Sequence, residues 1–383
     1  MPAARRFGCE IVKQSAKIYR AIGLMSGTSR DGVDAALVST DGRGVIECGP
    51  ALTVPYEEAM RERLGSVAGR DPAENPRLVG EIAREITFVH VEAVRRLLAE
   101  SGRSHGDIDV IGFHGHTVLH RPWERLTVQI GDGDLLAELT GIDVVDDFRG
   151  RDVAEGGQGA PLVPLFHVAM ASALPRPIAI LNLGGVANVT WIGLAGDPIA
   201  FDTGPGNALI DDWARRHTGR FFDQDGRLAA AGKADERILS QLLSNPYFER
   251  PPPKSLDRDE FKALPIEGLS PQDGAATLTE FAARAVALGV PFLPQLPVRW
   301  LISGGGRRNL ALMMALERQL GAEVAPVEDV GWNGDALEAQ AFAYLAVRSV
   351  EGLPLSLPST TGVRHPVTGG RLHHPKSRLQ ARS

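Results

Sequence analysis

The segment Phe201 to Asn207, FDTGPGN, places Asp202 at the end of an apolar run, directly before a turn with two glycines and a proline. A carboxylate held there can take a proton from an attacking water or hydroxyl; the same residues can equally form an Asx turn or a helix cap. Asp211 and Asp212, one turn further on, suit capping or solvated positions. A second group, FHGHT, sets His114 and His116 two residues apart, so that on a strand both face one side. That spacing fits a hydrolytic metal centre, a sugar-contacting edge or structural histidines. No eightfold strand–helix alternation accompanies it, which weighs against metal. In DDFRGRD, Arg149 and Arg151 can grip a carboxylate bidentately or pair with Asp146, Asp147 and Asp152.

Three further stretches offer glycine turns with polar ends. GLMSGTSRDGVD, Gly23 to Asp34, supplies Ser26, Gly27, Thr28 and Ser29 as amide and hydroxyl donors, with Asp31 as a carboxylate for hydrated Mg²⁺. NLGGVAN, Asn182 to Asn188, repeats the device, and SGGGRRN, Ser303 to Asn309, sits between a strand and a helix, where amides can hold a nucleotide. Any one of these is explained by an ordinary tight turn. As a series, strand after strand running into glycine, they describe a phosphate-lined cleft. The chain has no G-x-x-x-x-G-K-[ST], no complete G-x-G-x-x-G and no G-x-S-x-G, which sets aside P-loop, dinucleotide-fold and α/β-hydrolase readings.

The elements that must position these residues alternate. Strand signals fall at 21–25, 35–38, 110–113, 127–130, 143–145, 178–183, 188–192 and 298–302. Helical patterns cover 78–100, 134–139, 206–216, 235–243, 275–288, 309–320 and 334–350, so the chain reads as α/β. The stretches beginning at Ile22 and Leu181 are alike, a weak sign of two related halves.

With 383 residues, two domains are expected. A net charge of -6 leaves no basic surplus for a nucleic-acid backbone, and no apolar run long enough for a membrane span occurs. Cys9 and Cys48 are too few for a disulfide framework or a thiolate metal site and fit a reducing, cytoplasmic setting. The basic leader is expected to be a flexible or added segment. The end, with His365, His373 and His374, is expected to wrap the fold and finish as a loose tail whose histidines are solvated or, less simply, bind metal.

In these motifs, taken with GGQGAPLVP, PKSLDR and DALEAQAFAYLA, the chain strongly resembles the anhydro-N-acetylmuramic acid kinases of bacterial cell-wall recycling, from about Gly23 to Arg348. The resemblance implies two ribonuclease-H-like domains of the actin-like ATPase type flanking a nucleotide and substrate cleft. The domains are expected at 20–155, rejoined by 350–370, and at 156–349, with tails at 1–19 and 371–383. By resemblance, Ser26, Gly27, Thr28, Ser29, Arg30, Asp31, Gly32 and Val33 form the first phosphate loop; Gly184, Gly185 and Asn188 belong to the second. Gly304, Gly305, Gly306 and Asn309 form the adenosine turn. Asp202 matches the catalytic base and Glu338 a substrate-side carboxylate, while His114, Arg149, Arg151, Gly204 and Asn207 are expected at the sugar. The implied reaction uses ATP and Mg²⁺ to phosphorylate O6 of 1,6-anhydro-N-acetylmuramic acid while water, activated by Asp202, opens the anhydro bridge; a homodimer is implied too. The chain departs from the family pattern at His116, where HGQT is usual, and at Gly150, where DFRRRD is usual. An ATP switch of the same fold, a kinase of another amino sugar and a histidine-metal hydrolase are the alternatives.

Overall fold

The computed structural model describes residues 17–256, 261 and 266–376. Cys9 and most of the leader, together with Asp257 and Arg258 of PKSLDR, lie outside the described residues.

Two sheets share one plan. In the first, β1 (Tyr19–Ser26), β2 (Gly32–Thr40) and β3 (Val45–Pro55) form an antiparallel meander, and β4 (Val110–Arg121) and then β6 (Val144–Asp146) add in parallel beyond β1. A short β5 (Leu126–Ile130) folds back on the extension of β4. In the second, β7 (Ile178–Leu183), β8 (Val186–Ile192) and β9 (Ile199–Pro205) repeat the meander, with β10 (Arg299–Ser303) and β11 (Glu323–Pro326) parallel beyond β7. The repeated order makes each half a ribonuclease-H-like α/β unit.

The first sheet carries α1 (Glu58–Val67), α2 (Pro76–Ser101), α3 (Gly133–Thr140) and α4 (Gly150–Ala154); α5 (Pro164–Met170) follows at the crossing between halves. Around the second lie α6 (Ala208–Thr218), α7 (Arg227–Ala230), α8 (Glu236–Leu243), α9 (Pro271–Gly289) and α10 (Leu310–Leu320). The chain closes with α11 (Leu337–Val350), α12 (Pro358–Thr361) and β12 (Arg371–His373). The 26-residue α2 shows why these segments fold as they do: Asn75 caps it by accepting from Leu78 N–H, Pro76 occupies its first turn, and Gly102 ends it at φ +63°. Its buried stripe includes Ile82, Ile86, Val94 and Leu97.

α11 departs from the expected division, which left its residues with the second half: it packs on β1, β2 and β4 of the first sheet. Ala339, Ala341, Ala343 and Ala346 are fully buried along it. They let its backbone come so near the sheet that a Cβ on Gly23 would stand 1.7 Å from the Ala339 carbonyl oxygen, and one on Gly112 2.1 Å from that of Phe342. The expected loose tail also differs at its start. Residues 371–373 pair antiparallel with β6, and His373 sits between Asp134 at 2.7 Å and Asp146 at 2.9 Å. Asp202 lies within β9, which runs on to Pro205, instead of at its end.

Replacing Gly23 by alanine forces two backbones apart, so Gly23→Ala is expected to lower unfolding free energy by roughly 3 kcal/mol or more. Gly80, exposed on α2 with nothing near a Cβ, gives the opposite outcome, a gain of about 0.5–1 kcal/mol in Gly80→Ala. Urea unfolding of the two variants checks both signs.

Candidate active site

The turn between β1 and β2 is built from its base. Ser26 is 1% exposed, and its Oγ bonds the Tyr56 hydroxyl and His116 Nδ1, each at 2.9 Å. This hydroxyl therefore ties the loop to β4, and Gly27, Thr28, Ser29 and Asp31 form the loop's accessible part. Arg30 adopts φ +58°, its N–H closing on the Gly27 carbonyl at 3.1 Å, and Ser29 Oγ donates to Asp31 Oδ1 at 2.9 Å. Gly32 and Val33 already belong to β2; the Val33 side chain is wholly in the core, and Gly32 lies against the Val54 carbonyl.

The second turn, Gly184 and Gly185, is held from behind. Asn207 N–H donates to Gly184 O at 2.7 Å, Gly206 N–H to Gly185 O at 3.0 Å, and Asn207 Nδ2 to Leu183 O at 2.7 Å. Asn207 thus braces the loop, and Gly204 abuts Ala285 of α9. In the third turn Gly304 takes φ +75°, and Asn309 caps α10 by accepting from Leu312 N–H at 3.0 Å. Gly305 lies beside Asn207, and Gly306 packs on Leu183 and Asn207. Arg307, which sequence reasoning passed over, bonds Glu328 at 2.8 Å, Asp335 at 3.0 Å and the Gly304 carbonyl at 2.8 Å. It locks the third turn in place.

Across the second sheet, register aligns Asn182, Asn188 and Asp202 on neighbouring strands. Asn188 Oδ1 is buried without a partner among the described residues. Asn182 Nδ2 donates to Glu338 Oε1 at 3.2 Å, which joins the second sheet to the first turn of α11. Glu338 is open to solvent, yet protein surrounds it closely enough to raise its carboxyl above the usual range: it stands in a cleft between the halves. Arg149 and the Asn182 bond pull in the other direction.

Burial pushes Asp202 up to about 7, against a Leu256 N–H bond to Oδ2 at 2.8 Å and the field of Arg149. Arg149 therefore acts on both carboxylates. Its Nε donates to His114 Nε2 at 3.1 Å and its Nη1 to the Gly159 carbonyl at 2.8 Å. A guanidinium only donates, so His114 accepts at Nε2 and donates from Nδ1 to the Gly115 carbonyl at 2.9 Å. Burial, then Arg149, holds this imidazole neutral, well below its ordinary value. His116 is likewise lowered to about 4 by burial and by Arg30.

Arg151 does not join them. It is exposed and donates to Thr368 Oγ1 at 2.7 Å, because the one-turn α4 that starts after Arg149 sends the two side chains in different directions. Gly150 N–H instead bonds Asp147 Oδ1 at 3.1 Å, leaving little room there for a side chain. Asp152 is buried and accepts from Gly159 N–H and Thr361 Oγ1, each at 2.6 Å. His114 and His116 lack the companions of a metal centre: no group of three or more potential ligands occurs among the described residues.

The family model described as anhydro-N-acetylmuramic acid kinase matches residues 19–375. The chain is 58% identical over 352 residues to the anhydro-N-acetylmuramic acid kinase of Rhodospirillum rubrum, covering 91% of this chain and 93% of the relative. It is also 58% identical to that of Paramagnetospirillum magneticum, covering 93% and 99%. Among solved structures it is similar, at 11% identity and a TM-score of 0.46, to the Acidaminococcus fermentans (R)-2-hydroxyglutaryl-CoA dehydratase component A, covering 87% and 99%.

The raised carboxyl of Asp202 has a thermodynamic consequence. Folded, it keeps its proton to about pH 7; unfolded, it releases it near 3.8. Between those values the folded state binds more protons, so this group's contribution to stability falls as pH rises. Asp202→Asn keeps an oxygen for Leu256 N–H and removes the cost. It is expected to melt above the wild type at pH 8, with the gain vanishing towards pH 4. Paired melts across that range check it.

Proposed function

The chain belongs to the anhydro-N-acetylmuramic acid kinase family, and from that premise we propose how its cleft couples phosphoryl transfer to opening of the 1,6-anhydro ring. The protein is a kinase of peptidoglycan recycling that uses ATP. The observation that carries the finer reading is Asp202: a buried carboxyl near pH 7 beside Arg149, in the same cleft as the three glycine turns and Glu338. A base poised near the working pH combines a usable ionised fraction with enough basicity to take a proton.

In the proposed step, Asp202 accepts a proton from water as the water oxygen bonds to the anomeric carbon. The bond from that carbon to O6 breaks, and O6 takes the γ-phosphoryl group, with ADP leaving. The products are N-acetylmuramic acid 6-phosphate and ADP. Leu256 N–H fixes Oδ2 and so orients the carboxylate. Arg149 is assigned to the sugar's lactyl carboxylate, and neutral His114, whose Nε2 accepts from Arg149, sets the guanidinium plane. Glu338, facing the cleft, is assigned to the sugar side.

The two glycine turns at Gly27–Asp31 and Gly184–Gly185 are assigned to the phosphates, with Asn188 at the second, and the turn at Gly304–Gly306 with Asn309 to adenosine. Asp31 suits Mg²⁺: its carboxylate adds to the field that raises Glu338 and, behind burial, to the one that raises Asp34 to about 6. A divalent ion there takes one or two carboxylates plus phosphate oxygens and would neutralise the transferred group's charge. ATP use supports a cytoplasmic setting, and no helix among the described residues is long and apolar enough to cross a membrane. A homodimer is the assembly proposed from the resemblance.

An ADP-release assay with Mg-ATP separates the readings. ADP is expected with 1,6-anhydro-N-acetylmuramic acid but not without sugar, and the product should carry both a phosphate and the elements of water. Asp202→Asn is expected to lower kcat by about 10²–10⁴-fold; a near wild-type rate would remove Asp202 as base. Arg149→Met should raise the sugar KM about tenfold or more, with Arg151→Ala changing it much less. The reverse order would return the carboxylate to Arg151.

A further inference from the structure

Lys254 is 7% exposed, and no role above uses it. Its ammonium donates to two main-chain carbonyls, Tyr247 O at 3.1 Å and Phe248 O at 3.4 Å, and stands over the rings of Tyr247, Phe292 and Phe201 at 4.7, 4.9 and 5.9 Å. Burial first, and then Arg250, lowers it to about 8. Burying an ammonium is costly, and a lysine kept there needs a compensating task.

Its backbone shows the task. The Lys254 carbonyl accepts from Asp202 N–H at 3.0 Å, and two residues on, Leu256 N–H donates to Asp202 Oδ2 at 2.8 Å. Tyr247, whose carbonyl receives the ammonium, donates its own hydroxyl to the Asp202 carbonyl at 2.5 Å. The three residues form a closed ring of hydrogen bonds: Asp202 to Lys254, Lys254 to Tyr247, Tyr247 to Asp202.

We propose that Lys254 is a positioning residue for the reaction: by anchoring the 254–256 segment to the Tyr247–Phe248 turn, it keeps the Leu256 N–H on the Asp202 carboxylate. The proposal rests on the reading of Asp202 as base. The groups acting on that carboxyl are Leu256 N–H, Arg149 from the start of α4, and the desolvation of its surroundings; Arg250 faces Lys254. Leu256 N–H stabilises the ionised form against burial. When the anchor is lost this bond slackens, and the carboxyl holds its proton to higher pH.

The test uses Lys254→Met, which fills the site without donating, and Tyr247→Phe, which removes one hydroxyl from the same ring. The acid limb of the kcat–pH profile is expected to move up by about one pH unit in Lys254→Met, and by less in Tyr247→Phe. At pH 7, where the wild-type base is about half ionised, kcat should fall about fivefold while the sugar KM stays within about twofold. A second readout needs no turnover: the melting difference between each background and its Asp202→Asn derivative, followed across pH, reports the Asp202 titration, whose midpoint should rise with the limb. A wild-type enzyme that made no sugar phosphate would defeat the base reading and leave this titration measurable. Folded variants with the wild-type limb and midpoint overturn the proposal, and if Lys254→Met fails to fold, Tyr247→Phe decides.

Discussion

The close approach of α11 to the first sheet is the constraint on which the site depends. Gly23 on β1 and Gly112 on β4 give way to a helix whose inward face is alanine, so backbone rests almost on backbone. This fixes the depth and rotation of α11, and hence of Glu338 in its first turn. Glu338 then meets Asn182 of the second sheet. A carboxylate carried by a helix of one half and hydrogen-bonded by a strand of the other marks the cleft to within a side chain's length.

Electrostatics builds on that geometry. Asp202 and Glu338 are both made harder to ionise by their surroundings, and Arg149 offsets part of the penalty for each. The nearby imidazoles, His114 and His116, stay neutral, so they add hydrogen bonds to the site without adding charge that would lower the Asp202 carboxyl. Arg149 thus lies in the field of two carboxyls that burial makes harder to ionise. Keeping such carboxyls buried costs stability at a place where reactivity is wanted, as at many functional sites.

Much of this was legible in the sequence because it is local. Strand followed by glycine turn is a short-range pattern, and the turns at Gly27, Gly184 and Gly304 all stand where that pattern put them. What was missed is long-range or masked by composition. β3 carries Gly49 and Pro50 at a register shift on an edge strand, where proline is tolerated but hides the alternation. The periodicity of residues 334–350 announces a helix but not which sheet receives it; the alanines were the hint. His373 reads as a tail histidine until the fold brings Asp134 and Asp146 to either side. The difference between Arg149 and Arg151 depends on where a one-turn helix begins, which no residue pattern fixes.

The covalent path between the halves also runs past Asp202, the residue proposed as base. In the connection after α4, Asp152 holds Gly159 and Thr361, while Gln158 N–H donates to the Thr361 carbonyl at 2.6 Å, lacing the segment near α12 onto the crossing. Gln158 Oε1 in turn accepts from Ser255 Oγ at 2.8 Å. Ser255 lies between Lys254 and Leu256, the two residues whose backbone clamps Asp202. Arg149, bonded to the Gly159 carbonyl, is tied to the same connection. Asp202 and the guanidinium that acts on it are thus both tied by hydrogen bonds to this crossing. A movement of one half against the other would be transmitted along these contiguous hydrogen bonds, at the place where the chain passes from one half to the next.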